Sequence, residues 1–187
     1  MVNLFNYNYK ILEDFENLYD FFYCNQNKFK KHINGECKTN NHLQNIKILK
    51  DFYEITFPYG YCFPISQFIF YYLGGYNNKD ISLMCIKKIP ININNYNFFT
   101  SHWFVYDKKN NLIIDLTKKQ FDKIIDINKF YNKARRANYG FPYFKKNNKR
   151  YINTVPSSQV MNIYQVFREK KINIFLEEYY KEYTNNK

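Results

Sequence analysis

From about residue 82 onward the chain carries three stretches, ISLMCIKKI, SHWFVYD and NLIIDL, dense in β-branched and aromatic residues and parted by turn-forming Asn, Asp and Lys. Residues of this kind suit a pleated, half-buried surface, so the stretches read as antiparallel strands. The last two are so close in SHWFVYDKKNNLIIDLT that they form a hairpin. With a four-residue loop, paired positions in it sum to 217 or 219.

Upstream the spacing is helical. Ile11, Phe15, Leu18, Tyr19 and Phe22 recur every three or four residues and predict a helix over about 10–24. A polar loop over 25–42, containing Gly35, separates it from Leu43, Ile46, Leu49 and Phe52, a second helix ending near Tyr53. FPYGYCFPISQFIFYYLGG then places Ile65, Phe68, Ile69 and Tyr72 on one apolar face, with Pro64 near its start and Gly74–Gly75 past its end, the usual punctuation of a helix. Near the C-terminus Ser157 is placed to cap one long closing helix through Val160, Ile163, Phe167, Ile174 and Phe175, and the final TNNK should fray. Helices, then strands, then a helix, with no repeat and no linker, predict one α+β domain over 1–187.

Composition narrows the setting. No apolar run approaches the roughly 20 residues a spanning helix needs, which leads us to expect a soluble chain with no membrane partner. The first residues, MVNLFNYNYK, have neither the basic start nor the apolar stretch of a signal peptide, so a cytoplasmic location is expected. Cys24, Cys37, Cys62 and Cys85 form no C-x-x-C pair, which argues against a disulfide framework and leaves reduced thiols. The net charge of +12 invites an anionic partner, yet 28 Asn beside only two Ala point to A/T-rich codons as its source. Only Arg135, Arg136, Arg150 and Arg168 are arginines, few for a reader of bases and phosphates. Residues 133–155, basic and irregular, read as a solvated loop through which any nucleic-acid contact would be made.

Three residues carry chemistry in a usable order. A thiol attacks a carbonyl well only as a thiolate, which a helix N-terminus and a nearby imidazole favour; Cys62 opens the helix that ends at Gly74–Gly75. Of three histidines, His32 and His42 fall in the polar loop, whereas His102 lies in a strand beside Trp103. In the hairpin, a sum of 217 sets His102 opposite Asp115 and a sum of 219 makes them diagonal neighbours, within roughly 5 to 8 Å between Cβ atoms on one face. A slip of one residue would turn Asp115 to the other face. Asp115 is expected to accept the Nδ1 proton of His102 and so hold its tautomer.

Gly60, Cys62, Gly74, Gly75, His102, Trp103, Asp115, Thr117, Gln120 and Phe121 together form a Gly-x-Cys helix start, a Gly-Gly end, a His-Trp strand and an Asp-x-Thr with Gln-Phe following. The order of Cys, His and Asp-x-Thr resembles the transglutaminase-like and papain-like superfamily, and DLTKKQF resembles small YunG-like bacterial and phage proteins. The likeness spans about residues 58–122, with a weaker echo over 139–157. It implies a papain-like fold and a thiol acyl-enzyme without cofactor, acting on a peptide, protein or small amide or thioester by hydrolysis or acyl transfer. Unlike papain-like proteases, the chain has no oxyanion-hole Gln upstream of the cysteine beyond the nearby amides Gln44 and Asn45. Gln120 is then available to orient a substrate amide or hold the hairpin end, Trp103 to shield the His–Asp pair, and Thr117 and Gly60 to support the site.

Two other readings compete. The same fold could serve as a basic binding or virion protein without catalysis. Cys24, His32, Cys37 and His42 fall within nineteen residues, but their spacing matches no common zinc finger.

Overall fold

The computed structural model describes Leu18, Asp20, Phe21, Tyr23 and Cys24, then residues 61–93, 96–137, 144–146, 149–151, 156, 158–169 and 173–185. The helix expected over 43–53 lies outside these residues, as do Gly60, Gln44, Asn45, Ser157 and, of the metal-spaced set, all but Cys24. The helix expected over 10–24 is represented by its five described residues, which are helical, with Leu18 and Phe21 buried in the core.

Helix α1, Cys62–Tyr72, begins and ends where its punctuation places it. Pro64 in the first turn fixes φ and removes an N–H that would have no acceptor within the helix. At the other end the Leu73 and Gly74 N–H groups donate to the Ile69 and Tyr71 carbonyls, and the Asn78 side chain donates to Leu73 O. Gly74 and Gly75 then turn the chain with φ of +100° and +57°, a left-handed path open to glycine at little cost. Ile65, Phe68 and Ile69 are buried, but so is every residue from Pro64 to Tyr71, so the helix is enclosed all round rather than on the one face expected.

Strands β1 (Ile81–Ile93), β2 (Tyr96–Asp107), β3 (Leu112–Ile114) and β4 (Arg135–Arg136) make an open antiparallel sheet ordered β3-β2-β1-β4. The architecture is α+β, with helices packed on the sheet. Strand β2 begins at Tyr96 rather than Ser101, because FFT continues the aromatic, β-branched run. Val105–Ile114, Tyr106–Ile113 and Asp107–Leu112 are paired, the register in which positions sum to 219.

One irregularity organises both faces. Ile86 pairs with His102 and Ile89 with Thr100, so Lys87 and Lys88 together oppose Ser101 in a bulge, with Lys88 at φ +57°. The extra residue rephases β1, which is why Ile86, Ile89, Ile91 and Ile93 share one face although alternation without a bulge would split them. That face packs with Phe104, Phe121 and Ile127. The opposite face, with Ile81, Leu83, Val105 and Ile114, packs against α1, Val160, Met161 and Tyr164.

The C-terminal segment departs from the single helix expected. It forms α2, Ser158–Phe167, and α3, Ile174–Asn185. Asn173 makes the break, since its side-chain oxygen accepts from Leu176 N–H as a helix N-cap and its amide donates to the Tyr72 carbonyl of α1. Tyr164 of α2 and Arg168 just past its end both bond Glu177 of α3, closing the corner. The basic stretch also departs from an unstructured loop. It holds β4 and the two-stranded pair β5 (Phe144–Lys146) and β6 (Lys149–Tyr151). Among the described residues no helix is long and apolar enough to cross a membrane.

Gly75 is the least replaceable residue of the α1 turn, because an added Cβ would stand 2.8 Å from Tyr71 Cδ1 in addition to the left-handed strain. Gly75→Ala should therefore lower stability by about 1 to 3 kcal/mol, measured as a shift in the urea midpoint at constant slope.

Candidate active site

Asp115 follows directly on the last residue of β3 and its two carboxylate oxygens take separate tasks. Oδ1 accepts from Thr117 N–H and Thr117 Oγ1–H, both at 3.1 Å, an Asx-type turn that ends the strand. That turn starts the 3-10 helix Lys118–Phe121 and brings Gln120 and Phe121 back over the sheet face. Oδ2 accepts from His102 Nε2–H at 2.5 Å and from the Tyr131 hydroxyl at 2.7 Å. His102 is 0% and Asp115 3% exposed as side chains.

The diagonal neighbourhood expected from the hairpin is thus observed, but the nitrogen differs. Asp115 takes Nε2 rather than Nδ1, because from a diagonal position past the strand end it meets the far side of the ring. Nδ1 is left to Gln120, whose Nε2 lies 3.1 Å away, and Cys62 is close enough to the ring to raise its pKa. The glutamine amide serves either protonation state: it donates to a bare Nδ1 or, turned over, accepts from Nδ1–H.

Cys62 reaches this histidine although α1 packs mainly against the other face. Strand β3 ends at Ile114, opposite Val105, so the edge of β2 beyond that point is open. The first two turns of α1 fill it: Ser66 Oγ donates to the Trp103 carbonyl at 2.8 Å, and the Phe63 ring meets the Trp103 ring edge-on at 4.8 Å. The thiol is half-buried, at the boundary between the two faces.

Trp103 does not cover the His–Asp pair, as adjacent strand residues face opposite ways. The cover comes from Phe121, edge-on to the imidazole at 4.8 Å, and from Phe104, two residues along the same face, which in turn packs on Tyr131. Phe104 was legible as the alternate residue to His102. Tyr131 was hidden among 20 tyrosines, its one cue being Ile127 and Phe130 at helical spacing in INKFYNK.

Burial alone would hold the imidazole neutral, yet the Asp115 charge and hydrogen bond, with a smaller contribution from Cys62, outweigh it and raise the His102 pKa from 6.5 to about 9. Burial pushes the Cys85 thiol up to about 11, partly offset by Lys87. The Tyr131 hydroxyl is raised well beyond its ordinary range by burial and by Asp115, so it stays a donor.

The sign of the histidine linkage is fixed by its direction. A pKa raised on folding contributes stability that is fully present below about 6.5 and is lost as pH rises through about 9. Wild type should accordingly lose stability between these values in a way that His102→Gln does not, in urea titrations at each pH. In Asp115→Asn the imidazole keeps its burial and loses its counter-charge, so its pKa should fall by more than about one unit, followed by the ring-proton shifts in NMR.

Comparison of the chain with family models, with curated proteins and with solved structures found no match.

Proposed function

We propose that the chain is a thiol-dependent acyl-chemistry enzyme of papain-like or transglutaminase-like arrangement, in which Cys62 is the nucleophile, His102 its acid–base partner and Asp115 the group that holds the histidine. The observation that carries this reading is the buried imidazole between an acceptor carboxylate on Nε2 and a half-buried cysteine at a helix start. Such a network over-determines one ring orientation, which packing of a spare histidine does not need.

With a pKa near 9 the imidazole is cationic at neutral pH, the condition under which a neighbouring sulfur becomes a good nucleophile. The Cys62 proton resides on the ring in a thiolate–imidazolium pair, and the thiolate attacks an amide, isopeptide or thioester carbonyl, forming a C–S bond as the carbonyl π bond opens. Negative charge gathers on the carbonyl oxygen, where the Cys62 main-chain N–H and the positive end of α1 stabilise it. The tetrahedral intermediate collapses, the bond to the leaving nitrogen or sulfur breaks, and the imidazolium gives that atom its proton. Water, or an amine in acyl transfer, then surrenders a proton to the neutral imidazole, attacks the thioester and releases Cys62. Asp115 holds the ring throughout, with Tyr131 and Thr117 as its supporting donors. Gln120 acts as a positioning residue on Nδ1. The substrate is a peptide, a protein or a small amide or thioester, met in a compartment that keeps thiols reduced, such as the cytoplasm.

The test is the rate of iodoacetamide labelling at each cysteine, resolved by mass spectrometry across pH. Cys62 should be labelled fastest near neutral pH and slow by about tenfold or more in His102→Ala, while Cys85 should stay slow until pH approaches 11. Equal labelling of Cys62 and Cys24, unchanged in the histidine variant, would instead favour a non-catalytic basic binding protein.

A further inference from the structure

The β1–β2 hairpin is covered on its α1-facing side for only half its length. Up to the Cys85–Trp103 pair that side is buried or half-buried. Beyond it, Lys87 on β1 and Ser101 on β2 are exposed, as are the pairs Pro90–Phe99 and Asn92–Asn97, with Phe99 67% exposed. The cover stops at Phe63 against Trp103, so Cys62 stands where the uncovered surface begins.

The charges at this boundary have one sign. Lys87 follows Cys85 by two residues and so shares its face, and Arg135, paired with Cys85 across the β1–β4 edge, shares it too. Both are exposed, along with Lys88 in its left-handed bulge position, Lys133 and Arg136. Among the described residues none of the five forms a salt bridge. Residues 81–106 and 127–137 contain no Asp or Glu, and Asp115 is buried with His102. Cys85 feels both Lys87 and Cys62, so the ammonium and the proposed nucleophile lie within electrostatic reach of one thiol.

We propose that this uncovered strand face is the acyl-donor subsite of Cys62 and that it takes an anionic donor, a peptide segment whose carboxylates meet Lys87 and Arg135 while an apolar side chain rests on Phe99 and Pro90. The inference rests on the thiol-enzyme reading and adds its substrate class. An extended chain laid along the strands would run from the basic pair toward Phe99, with its scissile carbonyl at the Cys62 end. Two cations next to the nucleophile would repel basic segments as strongly as they attract acidic ones, so the selection is by charge before shape.

The experiment compares alkylation of Cys62 in the full chain by iodoacetate, an anion, and by iodoacetamide, its neutral analogue. In K87Q/R135Q the ratio of iodoacetate to iodoacetamide rates should fall about fivefold relative to wild type, and about 0.5 M salt should remove the difference. A Glu-rich hexapeptide amide should also protect wild-type Cys62 from iodoacetamide where a Lys-rich one does not. An unchanged ratio in the double variant overturns the subsite while leaving the nucleophile standing. Protection by an oligonucleotide but not by the acidic peptide overturns it in favour of a nucleic-acid surface. Iodoacetamide labelling of Cys62 no faster than that of Cys24 overturns the thiol-enzyme reading and this inference with it.

Discussion

Burying an imidazole and a carboxylate together forfeits the hydration of both, and the loss is recovered only if each ion keeps a full set of hydrogen bonds. At His102 and Asp115 the set is complete. Both carboxylate oxygens accept two bonds each, from Thr117 twice, from Tyr131 and from His102, and the second ring nitrogen faces Gln120. To supply these donors the chain must stop β3 at Ile114, turn at Asp115, fold Lys118–Phe121 back over the sheet and bring the helical turn Ile127–Lys133 across it. The layer on that side of the sheet is therefore arranged around one polar pair, with Phe104 and Phe121 excluding water from it.

The early end of β3 has a second consequence. It leaves the edge of β2 beyond Val105 without a strand, and α1 enters that gap through the bond from Ser66 to the Trp103 carbonyl. A β3 two residues longer would occupy the edge and shut the helix start away from the imidazole. The bulge at Lys87–Lys88 complements this on β1. By rephasing the strand it keeps Ile89, Ile91 and Ile93 on the same face as Ile86 and His102 and exposes two lysines at the point where helical cover ends.

Much of this was legible in order and in period. Helix α1 follows from Pro64, the spacing of Ile65, Phe68 and Ile69, and the Gly74–Gly75 stop, all local effects. The length of DKKNN narrowed the hairpin register to two alternatives, sums of 217 and 219, both of which placed Asp115 on the face of His102, and the structure has the second. The split of the closing helix was not legible, since Asn173 acts as a cap only because Tyr72 and Tyr164 bond it from elsewhere in the chain. The bulge was hidden for a related reason: KK reads as two exposed residues in either phase, and only the pairing with Ser101 shows that one of them is extra.

The sequence by itself determined helix α1, the β2–β3 hairpin and the order of Cys62, His102 and Asp115, because helix punctuation, side-chain alternation and turn length act over a few residues. Only the tertiary structure decided which imidazole nitrogen meets Asp115, that Tyr131 and Gln120 complete the pair, and that Phe104 and Phe121 rather than Trp103 cover it. Those outcomes depend on donors and rings brought together from β2, the end of β3 and the turns after it. Contacts of that range are set by how layers pack and by the need to satisfy every buried polar atom, neither of which is written at any single position.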